Sequence, residues 1–197
     1  LANALEQSDY GYYKYVFSFV GTLSILSLTG GFRNTTLQSV AKGYDGVIPH
    51  LFRRTLPLSL PMLISAGISC LWYVYHGNSV IGYSILIVSL FSVLGNWGII
   101  AYGYLNGRKL YKSRFFLQSL QGIILVVLLF ATLSVTKRVF TIILASAAVT
   151  GLTFAGFFYY IRSLIRNNEI SPEIHRFGTH LSIMSMISTV MINIDSI

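Results

Sequence analysis

Charge is the scarcest property of this sequence: Asp, Glu, Lys and Arg make up 10% of its 197 residues, where soluble domains carry about 25%. Six acids and fourteen bases cannot clothe a chain of this length in a solvated surface, which all but excludes a water-soluble fold. Disorder is excluded from the other side, because it needs low hydrophobicity and many charges, and 54% of these residues are hydrophobic. The one cysteine, Cys70, lies in an apolar run, so an internal disulfide and a thiolate metal cluster are both excluded. Chemical motifs are missing as well. The acids Glu6, Asp9, Asp45, Glu169, Glu173 and Asp195 form no DxD pair of the kind that holds a metal–nucleotide sugar. The histidines His50, His76, His175 and His180 lack HExxH spacing, and no phosphate-cradling GxxxxGKS or GxxxxGKT occurs. The sequence does not read as that of an enzyme, and nothing in it calls for a metal or cofactor.

What the chain does have is long apolar runs. A helix needs roughly 20 apolar residues to cross a hydrocarbon core about 30 Å thick. Five stretches reach that length, at about 11–32, 56–75, 80–104, 115–133 and 139–161, and a sixth at 181–197 is cut by the end of the chain. Backbone groups in lipid must be satisfied within the segment, so these runs are read as helices. The expected fold is all-α: a polytopic membrane helix bundle filling residues 1–197, with five full spans and the start of a sixth. Pro57 and Pro61 fall in the opening turns expected for the second span, where proline marks either a hinge or an ordinary helix start.

The bases orient this bundle. Alternate loops hold Arg33, Lys42, Arg53 and Arg54, then Arg108, Lys109, Lys112 and Arg114, then Arg162, Arg166 and Arg176, which is eleven of the fourteen. Only Lys14, Lys137 and Arg138 lie on the other side. The net charge of +8 is therefore read as a positive-inside signal and not as a nucleic-acid footprint. The basic loops are expected in the cytoplasm and residue 1 outside. An outside start from Leu1, with no signal peptide, predicts a preceding helix and hence a piece of a longer protein.

Polar residues at membrane depth are the candidates for function. Arg33 follows the Gly30-Gly31 break and precedes Asn34, Thr35, Thr36 and Gln38. Either these groups line a polar cavity or the arginine snorkels to the cytoplasmic headgroups. Asp195, beside Asn193, is the one acid inside an apolar run. It is read as an ion-coupling carboxylate or the counter-ion of a cavity base, against a position at a watery helix end. Lys14 lies close enough to the outer interface to snorkel. Gln118 and Gln121, like Asn96 with Gly95 and Gly98, are assigned first to interhelical contact. Ala147, Gly151 and Ala155 form a small-residue stripe that permits close helix approach, and tyrosines such as Tyr73, Tyr75, Tyr102 and Tyr104 mark helix ends at headgroup level.

Three stretches carry a resemblance: residues 8–16 (SDYGYYKYV), 23–28 (LSILSL) and above all 38–46 (QSVAKGYDG). They resemble the polysaccharide biosynthesis or O-antigen flippase family, within the multidrug/oligosaccharidyl-lipid/polysaccharide exporter superfamily. The terminal STVMINID at 188–195 is similar to the opening of that family's seventh helix. The resemblance implies most of one lobe of a two-lobe transporter, running from the second helix to the start of the seventh. The family's cytoplasmic N-terminus fits the outside start read from the bases. It also implies a bacterial inner-membrane protein that flips lipid-linked oligosaccharide (a polyprenyl pyrophosphate sugar) by alternating access. Membrane lipid is a partner in this picture, polysaccharide polymerases are further candidates, and nucleic acid is not. Physically, cations would meet the phosphates, and amides or hydroxyls the sugar. Arg33 and Lys14 are the candidate cations, Asn34 and Gln38 the candidate sugar ligands, and Asp195 the candidate for ion coupling. The competing functions are a drug or metabolite antiporter of the same superfamily, which would want more buried acids, and a membrane-embedded glycosyl or phosphoglycosyl transferase, which would want clustered acids or a metal site.

Overall fold

A computed structural model describes residues 6–27, 29–136 and 138–170, together with 184 and 187. Among the described residues there are helices and no strands: α1 (Gln7–Leu23), a 3-10 helix (Ser24–Ser27), α2 (Phe32–Ala41), α3 (Val47–Tyr75), α4 (Ser79–Gly107), α5 (Tyr111–Val135) and α6 (Val139–Arg162). Four of them, α3 to α6, are each long and apolar enough to cross a membrane. The protein is thus an all-helical polytopic bundle. The sixth apolar run, 181–197, lies outside the described residues apart from Met184 and Ile187.

Two expected spans differ in their limits. The first run is not one helix: α1 ends at Leu23, and α2 leaves at 55° to the α1–3-10 segment. The break begins before Gly30-Gly31, and serine chemistry accounts for it. The Ser24 hydroxyl donates to the Gly21 carbonyl at 2.6 Å, the Ser27 hydroxyl donates to the Ser24 carbonyl at 2.7 Å, and Ser27 pairs with the Thr29 hydroxyl at 2.8 Å. Side-chain bonds of this kind offer the backbone an alternative to the helical ladder. The next span, α3, starts nine residues before position 56, so Pro57 and Pro61 sit inside the helix and not in its opening turns. Both prolines face outward. Hydroxyl bonds run from Thr55 to the Leu51 carbonyl (3.1 Å) and from Ser59 to the Thr55 carbonyl (2.7 Å) on the inward face, while the carbonyls that lose their N–H partners to the prolines are those of Arg53 and Pro57.

α4 is the central helix. Lipid tails are as apolar as leucine, so close packing and polar contacts must hold membrane helices together. α4 supplies both. Gly103 and Gly107, one turn apart, let α2 settle against it: a Cβ on Gly103 would lie 2.7 Å from the Arg33 carbonyl oxygen, and one on Gly107 2.8 Å from that of Leu37. Near its other end, a Cβ on Gly82 would lie 2.8 Å from the Cys70 carbonyl oxygen of α3. Of the small-residue stripe of α6, Ala147 and Gly151 are buried, with a Cβ on Gly151 only 2.9 Å from the Phe91 carbonyl oxygen, and Ala155 is half-buried. Polar links follow the same seams. Asn96 donates to the Ser59 hydroxyl at 3.4 Å, and the Tyr102 hydroxyl donates to Gln121 at 3.1 Å, whereas Gln118 is exposed.

These contacts also fix direction. Ser59 meets Asn96 and Cys70 meets Gly82, so α3 and α4 are antiparallel. Phe91 meets Gly151 and Tyr104 meets Leu164, so α4 and α6 run parallel. The C-terminal ends of α2, α4 and α6 and the N-terminal ends of α3 and α5 therefore gather at one end of the bundle. This basic end carries Arg33, Lys42, Arg53, Arg54, Arg108, Lys109, Lys112, Arg114, Arg162 and Arg166. One buried cluster, with Phe32, Ile48, Leu51, Ile100, Tyr104 and Ile161, lies toward it. A second, with Val16, Val20, Met62, Ile85, Val88 and Ile143, lies toward the opposite end.

Candidate functional site at the basic end of the bundle

The residues nominated from the sequence are partly brought together. α2 turns Thr35, Thr36, Ser39 and Val40 inward, and the α4 glycines receive that face. Arg33, Asn34 and Gln38 consequently share the exposed face of α2. The Thr35 and Thr36 hydroxyls are satisfied within the helix by the Gly31 and Phe32 carbonyls at 3.0 and 2.8 Å. Arg33 lies level with Gly103, one turn from the end of α4, or about 6 Å along the axis. Lys14 is not part of this group. It is exposed on α1 with its ammonium 5.2 Å from the Tyr10 ring centroid. From Lys14 to Leu23 alone the helix rises about 14 Å away from it toward α2. Asp195 lies outside the described residues.

The strongest electrostatic feature is one the sequence reading passed over. Asp45, in the turn between α2 and α3, is fully buried. Its Oδ2 accepts from Arg108 Nη2 at 2.6 Å and from the Arg166 backbone N–H at 2.9 Å. Asn167 completes the junction. Its Oδ1 accepts from the Asp45 backbone N–H at 3.0 Å, and its Nδ2 donates to the Gly43 carbonyl at 2.9 Å. The Gly46 N–H donates to the Glu169 carbonyl at 2.9 Å, and a Cβ on Gly46 would lie 2.7 Å from that oxygen. The Tyr104 hydroxyl donates to the Leu164 carbonyl at 2.6 Å. One carboxylate thereby ties three places together: the α2–α3 turn, the end of α4 and the segment after α6.

Local sequence explains how Asp45 gets there. α2 closes with Gly43 at φ +95°, the Gly43 N–H on the Val40 carbonyl and the Tyr44 N–H on that of Ser39. This is the Schellman pattern, which only a residue at ease with positive φ can make cheaply. It turns the chain sharply enough for Asp45 to face α4, and Gly46 then lets residues 168–169 lie against the backbone. The Asp45 hydrogen bond pushes the Arg108 guanidinium above its usual value, against the opposing pull of burial, so Arg108 stays cationic. The signal in the sequence was an acid held between two glycines, Gly43-Tyr44-Asp45-Gly46, at an end otherwise rich in bases.

Two cavities flank this framework. One of about 300 Å³ runs between α1, α4 and α6, lined by Phe17, Val20, Ser24, Val88, Phe91 and Phe154 among others. It is apolar and reaches Ser24, where α1 breaks. The other, about 420 Å³, lies at the basic end between α3 and α6 and is lined in part by Phe52, Arg53, Phe158 and Arg162. These arrangements can bind and orient an anion or a chain. Comparison of the sequence and fold with protein-family models, with curated proteins and with solved structures finds no match.

Proposed function

We propose that this bundle is part of a transporter that moves an anionic, lipid-linked oligosaccharide from one leaflet to the other. The observation that carries this reading is the broken span. Interrupted membrane helices are a recurrent way of putting polar groups at a substrate site. Here the segment beyond the break presents a cation and two amides on one exposed face, Arg33, Asn34 and Gln38. The break also has an apolar groove leading to it, suited to an isoprenoid or acyl tail. A pyrophosphate–sugar headgroup cannot enter hydrocarbon unaided, and charge-assisted hydrogen bonds from a guanidinium would lower that cost. The positive end of the α2 dipole, at the break, acts in the same direction.

In this reading α1 and α2 form one broken span, and the bundle of five spans is most of one lobe of a two-lobe alternating-access machine. The basic end faces the cytoplasm of a bacterial inner membrane by the positive-inside rule. Asp195 is kept as the candidate for ion coupling. The test is to delete the gene in its host and ask on which leaflet lipid-linked sugar accumulates, using a sugar-oxidising probe that cannot enter the cell. Cytoplasmic-side accumulation, rescued by the wild-type gene and not by Arg33→Ala, is the expected result. Rescue by Arg33→Ala would return that residue to headgroup anchoring. An unchanged distribution, with no redundant transporter present, would overturn the reading, and failure to assemble any lipid-linked sugar would favour a transferase.

A further inference from the structure

The cavity at the basic end between α3 and α6 is distinct from the α2 face. Its walls follow from helical spacing: Pro49, Phe52 and Arg53 share one face of α3, and Phe158 and Arg162, four apart, share one face of α6. Phe52 and Phe158 stack across the interface with ring centroids 4.3 Å apart and planes inclined by 11°, closing the cavity on an aromatic base. Both arginines are exposed, and among the described residues neither guanidinium has an ion-pair or hydrogen-bond partner. Among the described residues no acid lines the cavity, and Asn168 is the other polar residue of its wall. Asp45, the nearest buried carboxylate in sequence, is already engaged by Arg108 and Arg166.

Depth decides what could occupy it. α3 has 29 residues and α6 has 24, hence lengths of about 44 Å and about 36 Å against a hydrocarbon core of about 30 Å. The surplus places the first turns of α3 and the last turn of α6 at headgroup level, and those turns carry Arg53 and Arg162. A volume of about 420 Å³ accommodates a glycerophosphate headgroup but not a lipid-linked oligosaccharide. The apolar sides contributed by Ile48 and Ile165 suit the glycerol and upper acyl carbons.

We propose that this cavity is a binding site for the phosphodiester headgroup of an anionic phospholipid, held by Arg53 and Arg162 over the Phe52–Phe158 stack. The site rests on membrane placement alone and does not depend on the transport reading. Its test is to purify the full chain from nanodiscs of mixed phosphatidylcholine and phosphatidylglycerol and to count retained lipids by native mass spectrometry. Wild type should retain phosphatidylglycerol over phosphatidylcholine by about tenfold, the factor that a single good charge-assisted contact of about 1.4 kcal/mol supplies. The double variant Arg53→Gln/Arg162→Gln should lose the preference. Arg54→Gln, an exposed neighbour outside the cavity lining, should keep it.

No preference in wild type, an unchanged preference in the double variant, or an equal loss in Arg54→Gln would overturn the proposal. Displacement of the lipid from wild type by millimolar inorganic phosphate would assign the cavity to a soluble anion and overturn it too. The wild-type arms need no variant to fold.

Discussion

Replacing Arg108 by alanine tests whether the Asp45 junction holds the basic end together. The Asp45 side chain is 0% exposed, and both of its hydrogen bonds fall on Oδ2, one from Arg108 and one from the Arg166 N–H. Oδ1 has no partner among the described residues. Arg108→Ala therefore leaves a buried negative charge with a single neutral donor. Removing one partner of a buried pair costs about 3–5 kcal/mol. Arg108 is 22% exposed, so water partly reaches the vacated space, and the lower end, about 3 kcal/mol, is expected. At the sensitivity usual for a chain of this size, that is a fall of roughly 6–12 °C in the unfolding midpoint, readable by thermal denaturation in detergent. Asp45→Asn should cost less, about 1–1.5 kcal/mol, because the charge it leaves behind, on Arg108, is 22% exposed and still reaches water, and the amide oxygen still accepts from Arg166. The combination is the decisive case. Asp45→Asn in the Arg108→Ala background should restore stability relative to Arg108→Ala alone, since it removes the stranded charge. If Arg108→Ala falls no further than Lys112→Ala, an exposed base at the same end, or if the double variant is the least stable of the set, the reasoning is wrong.

Two further substitutions probe the helix geometry. Lys109 closes α4 at φ 59°, a conformation that costs a non-glycine residue roughly 1–2 kcal/mol; Lys109→Gly should raise the unfolding midpoint, the net gain being about 0.5–1 kcal/mol once the extra freedom of glycine in the unfolded chain is counted. Gly103→Leu should force α2 away from α4, because even a Cβ there would sit 2.7 Å from the Arg33 carbonyl oxygen; a loss of about 1–3 kcal/mol, with increased cysteine labelling at an introduced Thr36→Cys, is the expected result, and wild-type labelling would show that α2 does not depend on that glycine.

Much of the bundle was legible because membrane spans advertise themselves by length and hydropathy. The expected limits of the last three spans, 80–104, 115–133 and 139–161, fall within α4, α5 and α6 and miss their ends by a few residues. Legibility failed where local chemistry competes with that signal. Arg53, Arg54, Pro57 and Pro61 read as a loop and a helix start, yet α3 runs through all four, since outward-facing prolines and a charged helical extension at headgroup level are tolerated. The kink in the first span was read from Gly30-Gly31, while the hydroxyls of Ser24 and Ser27 had already ended the helix. At the candidate site, Arg33, Asn34 and Gln38 were nominated through the family resemblance and their place after the Gly30-Gly31 break, and they lie together on the exposed face of α2. Asp45 was not nominated, because its partners Arg108, Arg166 and Asn167 are 63 to 122 residues away. No local pattern announces contacts of that range; only the glycines on either side hinted that the acid was being aimed.

α5 contributes no buried residue to the described structure, yet the arrangement of its neighbours depends on it. α4 and α6 lie side by side in the same direction, so a chain leaving α4 at the basic end must be carried back across the bundle before α6 can begin. α5 is that return passage. Apart from the Gln121 contact with Tyr102 and the packing of Leu117, what it must supply is apolar length. Its absence would be felt elsewhere: without the crossing, α6 would be threaded end for end, and the segment that now meets Asp45 would emerge on the opposite face of the membrane.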